Sequence, residues 1–109
     1  MKRTKKGKVR LKAELTDVSI VKRMPDQVSC DLSGEAVILN LNSGMYYGID
    51  EIGSLVWSVL EEPRTLQYLR EIILNGYDVD PETCGRDVTA FLKDMHSAGL
   101  IEINNEAAA

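Results

Sequence analysis

The chain has 109 residues with one histidine and two cysteines, a length that supplies one hydrophobic core and is too short for two. Its formal net charge of -4 averages two unlike parts. The first twelve residues hold Lys2, Arg3, Lys5, Lys6, Lys8, Arg10 and Lys12 and no acid, which leaves six cations against seventeen acids elsewhere, about -11. Two cysteines, Cys30 and Cys84, far apart and outside any CxxC pair, exclude a disulfide scaffold. With His96 as the lone imidazole there is no zinc constellation and no Cys/His catalytic pair. Both thiols read as buried apolar side chains, and no metal or cofactor is expected.

In chain order, residues 1–26 form a basic arm. Its first twelve residues lack apolar periodicity and read as a solvated tail, followed by a short β-prone segment at 18–21 and a turn at Met24, Pro25 and Asp26. No apolar run follows the lysines, so the arm is not a secretory signal, and no stretch reaches the length of a membrane span. A soluble cytoplasmic protein without membrane contact is expected.

A folded domain is expected over 27–103. Residues 27–32 read as a strand, Ser33 and Gly34 as a turn, and residues 35–41 as a second strand in which Val37, Leu39 and Leu41 alternate at period two. Asn42, Ser43 and Gly44 then suit a three-residue hairpin loop with a G1 bulge. That loop sets Leu41 opposite Met45, Leu39 opposite Tyr47 and Val37 opposite Ile49, so both strands turn apolar residues to one face.

Asp50 is an N-cap for a first helix whose stripe is Ile52, Leu55, Val56, Val59 and Leu60, with Pro63 ending it. Thr65 caps a second, carrying Leu66, Leu69, Ile72 and Ile73 and stopped by Asn75 and Gly76. Asp80 and Pro81 open a third over 81–98, lined by Cys84, Val88, Phe91, Leu92 and Met95 and terminated by Gly99. Residues 100–103 form a wing strand or an extended tail, and 104–109 a frayed end. No internal repeat is present.

Catalytic chemistry is not supported. Asp78 and Asp80 are better explained as turn and cap than as a carboxylate pair, and His96 sits where an imidazolium would meet the carbonyl end of a helix. Gly44, Gly48 and Gly53 lack the spacing of a phosphate loop. Three helices with a terminal wing also suit a winged-helix DNA-binding regulator, the alternative reading. Arg86 and Lys93 on the third helix are outnumbered by Glu82, Asp87 and Asp94, a surface that repels phosphates. Peptide binding fits better. If residues 45–49 form the last strand of the sheet, its outer N–H and C=O groups accept an extended guest, whose side chains alternate between solvent and the third helix.

Leu39-x-Leu41-x-Ser43-Gly44-x-Tyr46-Tyr47-x-Ile49-Asp50, then Gly53 and Trp57, and later Asp87-Val88-x-x-Phe91-Leu92 with Gly99-Leu100-Ile101, resembles the PqqD-like family. These are the precursor-peptide recognition elements of ribosomally made, modified peptide pathways, and the Tyr-Tyr and Gly-x-x-x-Trp pattern is most similar to the stand-alone B1 proteins of lasso-peptide pathways. The resemblance implies an α+β, winged-helix-like fold with a small three-stranded antiparallel sheet followed by three helices. It also implies a non-catalytic role: binding a precursor's leader as an added strand and presenting it to a partner enzyme, a transglutaminase-like leader peptidase in the lasso-like case or another modifying enzyme, such as a radical enzyme in the quinone-cofactor case. Carried over by position, the leader site is Met45, Tyr46, Tyr47, Gly48 and Ile49 with Cys84, Asp87, Val88, Phe91, Leu92 and Met95. The basic arm lies outside the shared pattern. Both a monomer and a dimer made by edge pairing or strand swapping stay open.

Overall fold

A computed structural model describes residues 15–105. The first fourteen residues of the basic arm and 106–109 of the C-terminal tail lie outside the described residues. The elements in order are β1 Ile20–Arg23, β2 Gln27–Leu32, β3 Glu35–Asn40, β4 Tyr46–Ile49, α1 Glu51–Val59, β5 Arg64–Thr65, α2 Leu66–Gly76, α3 Pro81–Ser97 and β6 Ile101–Asn104. The result is a mixed α+β fold of three helices and two small antiparallel sheets, ordered β2-β3-β4 and β5-β1-β6.

Local chemistry accounts for most of the element ends. Asp50, Thr65 and Asp80 each sit in extended backbone and accept a hydrogen bond from the amide three residues on, Gly53, Tyr68 and Thr83, which satisfies one of the orphan donors of each first turn. Ser33 and Gly34 both have positive φ, 56° and 89°, and join β2 to β3 by a two-residue primed turn. Gly99, at φ 76°, closes α3: its N–H donates to the His96 carbonyl and that of Leu100 to the Met95 carbonyl, the paired bonds of a Schellman motif. Gly76 ends α2 differently from the expected left-handed stop, because Tyr77 follows in extended backbone at φ -137° and caps Ile73 through its N–H.

The β3–β4 register differs by one residue from the expected one. Ala36 pairs with Ile49, Val37 with Gly48, Ile38 with Tyr47 and Leu39 with Tyr46, so the loop holds four residues, 41–44. Asn40 N–H donates to the Met45 carbonyl across its mouth, and Gly44 N–H to the Asn40 carbonyl. Ala36, Ile38 and Asn40 therefore face the helices and are buried, whereas Leu41 is exposed. The reason is that β3 is apolar at nearly every position, so alternation alone does not say which face goes in. Asn40 decides it. Its side-chain oxygen accepts from Asn42 and Ser43 amides at 2.9 and 3.3 Å, and its Nδ2 donates to the Ala98 carbonyl at 3.0 Å. A buried polar side chain thus ties the loop to the end of α3 with its hydrogen bonds made.

The second sheet joins the first and last described strands. The strand expected at 18–21 begins at Ile20, because Ser19 N–H closes a turn onto the Thr16 carbonyl. Its partners are β6, with Ile20 opposite Asn104 and Arg23 opposite Ile101, and β5. Residues 101–104 are accordingly a strand. The core lies between the helices and the inner faces of both sheets, with Val21, Ile38, Leu60, Leu69, Leu92 and Leu100 essentially inaccessible, each worth about 1.5–3 kcal/mol of apolar burial. Trp57 of α1 is buried as well, with the Arg23 guanidinium 4.3 Å from its ring centroid, an arrangement that holds β1 against α1.

Candidate functional site

β4 is the terminal strand of its sheet. In an antiparallel ladder hydrogen-bonding direction alternates along a strand. The Asn40–Met45 bond, one step beyond the pairs Ile38–Tyr47 and Ala36–Ile49, assigns the groups of Tyr47 and Ile49 to β3. The N–H and C=O of Tyr46 and Gly48 therefore point away from the sheet, and no described strand pairs with them. Tyr46 projects from the outer sheet face at 73% exposure, whereas Tyr47 and Ile49 are half-buried towards the core.

Where β4 passes into α1, the edge runs into a cleft of about 170 Å³ between the start of α1 and the first half of α3. Its walls carry Ile52, Val56, Ile73, Val79 and Val88, with Phe91 half-buried beside them. Gly53 makes this shape possible. A Cβ built there would lie 3.0 Å from Phe91 Cε1 and 3.2 Å from Asp50 Oδ1, so only a glycine lets the ring lie this close to α1. The charged residues in the lining are Asp50 and Asp87, both acids; Asp50 Oδ1 is engaged by the Gly53 amide at 2.8 Å. On the α1 side, Tyr77 donates its hydroxyl to Glu51 at 3.0 Å.

Of the expected site residues, the structure gathers Cys84, Asp87, Val88 and Phe91 around this cleft and sets Tyr46, Tyr47, Gly48 and Ile49 on the strand that leads to it. Met45 closes the loop just before β4 and is exposed. Leu92 and Met95, at 0% and 4% exposure, belong to the core and do not line the cleft. Ile52, Gly53, Val56, Val79 and Thr83 line it without having been singled out. Gly53 carried the readable signal, a glycine in the first turn of an amphipathic helix; Val79 sits in a connection whose depth no periodicity encodes. Cys84 is buried and its Sγ lies 3.9 Å from the Arg70 carbonyl. Burial pushes its thiol up, which keeps it protonated and poorly nucleophilic at neutral pH.

Among the described residues no group of three or more His, Cys, Asp or Glu could hold a metal ion, and no helix is long and apolar enough to cross a membrane. What the arrangement offers is an unpaired strand edge beside a small apolar cleft with an acidic rim.

Two solved structures resemble the chain. One is TbiB1 in complex with the TbiA(beta) leader peptide, at 36% identity and a TM-score of 0.70, covering 74% of this chain and 94% of that one. The other is a lasso peptide synthetase B1 complexed with a leader peptide, at 17% identity and a TM-score of 0.67, covering 75% and 96%, a likeness of fold alone. No curated protein matches the chain significantly. The family model for coenzyme PQQ synthesis protein D (PqqD) matches residues 35–101. With that match over more than half of its length, and a relative 36% identical over 74% of it, the chain belongs to the PqqD family.

Proposed function

We propose that this protein is a non-catalytic recognition element that binds the leader region of a ribosomally made precursor peptide as a strand added to β4, beside α3. The observation that carries the reading is the outward N–H and C=O of Tyr46 and Gly48 on a strand that leads, through Asp50, to the Phe91 cleft. Main-chain bonds to that edge supply affinity for any extended peptide, and the cleft selects the side chain that enters it. Its relative TbiB1 is seen bound to a leader peptide, which supports the same guest here. The partner that receives the presented precursor is a modifying enzyme, in a lasso-peptide pathway a transglutaminase-like leader peptidase. Met45, Tyr46, Tyr47, Gly48 and Ile49 form the strand side of the site and Cys84, Asp87, Val88 and Phe91 the helix side, with Leu92 and Met95 supporting it from the core.

The test is a titration with a synthetic leader taken from the precursor encoded beside this chain's gene. Binding at micromolar dissociation constant or tighter is expected, with loss of at least about tenfold when a proline replaces a guest residue that pairs with Tyr46 or Gly48, since proline removes a ladder donor. A leader that binds equally well with and without the proline would overturn the strand-addition mechanism.

A further inference from the structure

The sheet that carries β4 has a second margin. β2 lies there, and among the described residues no strand covers it. The two-residue turn at Ser33 and Gly34 makes Leu32 and Glu35 a hydrogen-bonded pair. Alternation then gives the backbone groups of Cys30 and Val28 to β3, in phase with the Leu41 N–H that donates to the Asp26 carbonyl one repeat further on. The N–H and C=O of Ser29 and Asp31 therefore point away from the sheet. Little protects this edge: residues 28–32 are all exposed, and β2 contains neither proline nor lysine.

The side chains along β2 say what fits it. Ala36, Ile38 and Asn40 of β3 are turned to the core, so Val28, Cys30 and Leu32 stand on the outer face, where Val28 and Leu32 are 52% and 55% exposed. From either end that face reads apolar residue, Cys30, apolar residue. A second copy laid antiparallel, with a two-fold axis at Cys30, sets Val28 opposite Leu32 of the second copy and Leu32 opposite its Val28. Ser29 and Asp31 then meet across the edge as hydrogen-bonded pairs on both sides of the axis. Neighbouring registers are poorer. An axis at Asp31 sets two carboxylates face to face, and an axis at Ser29 sets Leu32 opposite Asp26. Pairing β2 with β2 also closes at two copies, whereas β2 against β4 of the next copy would run on as a filament.

We propose that two copies of this chain associate through their β2 edges, with Cys30 facing Cys30 at the axis. The result is one continuous sheet in the order β4-β3-β2-β2-β3-β4. Both β4 edges stay at its margins, so the association goes beyond the leader-binding reading and leaves a leader site at each end. A single strand pair is a small interface, and the dimer belongs to the weak, reversible class.

Sedimentation of the full chain between about 10 μM and about 1 mM is expected to show reversible conversion of monomer to dimer. Two variants locate the interface. Ser29→Pro removes an outward donor at an edge position where proline is tolerated, and Leu32→Lys places a charge on an exposed side chain. Each should raise the dimer dissociation constant at least about tenfold with an unchanged circular dichroism spectrum. Diamide, which oxidises two thiols to a disulfide and is itself reduced to the hydrazine, reads the register. A non-hydrogen-bonded pair sets its Cα atoms about 4.5 Å apart, within disulfide reach, so Cys30 should cross-link to Cys30 while the buried Cys84 does not. A chain that stays monomeric over that range overturns the inference, as does a dimer that both variants leave unchanged or that gives no Cys30 cross-link. Dispersal of the dimer by saturating leader would place the interface at β4 and overturn it too. Leader titration of Ser29→Pro reads the recognition function separately, because that variant keeps β4 intact.

Discussion

Gly53 shows how much of the site depends on one absent side chain. Phe91 rests where a Cβ on Gly53 would lie, 3.0 Å from its Cε1, and Phe91 in turn borders the cleft. For Gly53→Ala, alanine's better helix propensity works against the crowding, so the melting temperature should move by only a few degrees while the displaced ring narrows the cleft. The expected result is a leader dissociation constant raised about fivefold or more with little change in thermal stability, the direction in which overpacking a fitted site acts. An unchanged dissociation constant would show that Phe91 has room to withdraw and that the cleft does not select the guest. The caps Asp50, Thr65 and Asp80 were legible from the sequence because each bond spans three residues. Asn40 was not, since its partner Ala98 lies fifty-eight residues away and a lone asparagine in an apolar strand carries no mark of where it will be satisfied.

At the scale of elements the decisive one is β4. Its existence, and that of β2, β3 and all three helices, could be read from periodicity and turn residues, but its register could not. A three-residue loop and a four-residue loop both suit Asn42, Ser43 and Gly44, and β3 offers apolar residues on either face. The outward direction of the β4 donors makes a sharp prediction. Gly48 directs its N–H away from β3, so Gly48→Pro should fold, proline being tolerated on an outward edge, yet lose leader binding by at least about tenfold for want of a donor. Gly48→Ala should bind normally, as nothing lies within 4 Å of the added Cβ. Under the register first expected, Ile49 would instead pair with Val37, and Val37, Leu39 and Leu41 would face the helices in place of Ala36, Ile38 and Asn40, while Tyr46 and Gly48 would still point outward. Circular dichroism with a leader titration on both variants separates loss of the fold from loss of the donor.

For the molecule as a whole, the pairing of its first and last described strands sets the frame on which the site sits. β1 pairs with β6, Ser19 donates its hydroxyl to Asn105, and the Asp17–Arg70 pair fastens the entering chain to α2. The guanidinium beside Asp17 holds its carboxyl below the ordinary value. A group whose folded value is depressed contributes fully above its unfolded value, near pH 4, and loses that contribution as pH falls through the folded one. Asp17 is largely exposed, so the contribution is small and local. Below about pH 4 the protection of the Leu66 and Gln67 amides, which bond to the Ser19 and Asp17 carbonyls, should drop before the core amides do. Asp17→Asn should show the weakened protection already at neutral pH and lose its acid dependence; a wild-type profile in that variant would mean the ion pair does not hold the segment. By itself the sequence determined the α+β class, the helix limits at their caps, the edge-strand candidate and the family resemblance, because these are written in spacings of a few residues. Only the tertiary structure decided the one-residue register that turns Ala36, Ile38 and Asn40 to the core, the second sheet joining the first and last described strands, and the withdrawal of Leu92 and Met95 into the core. Each of those depends on contacts between residues distant in sequence, whose relative free energies no local pattern contains.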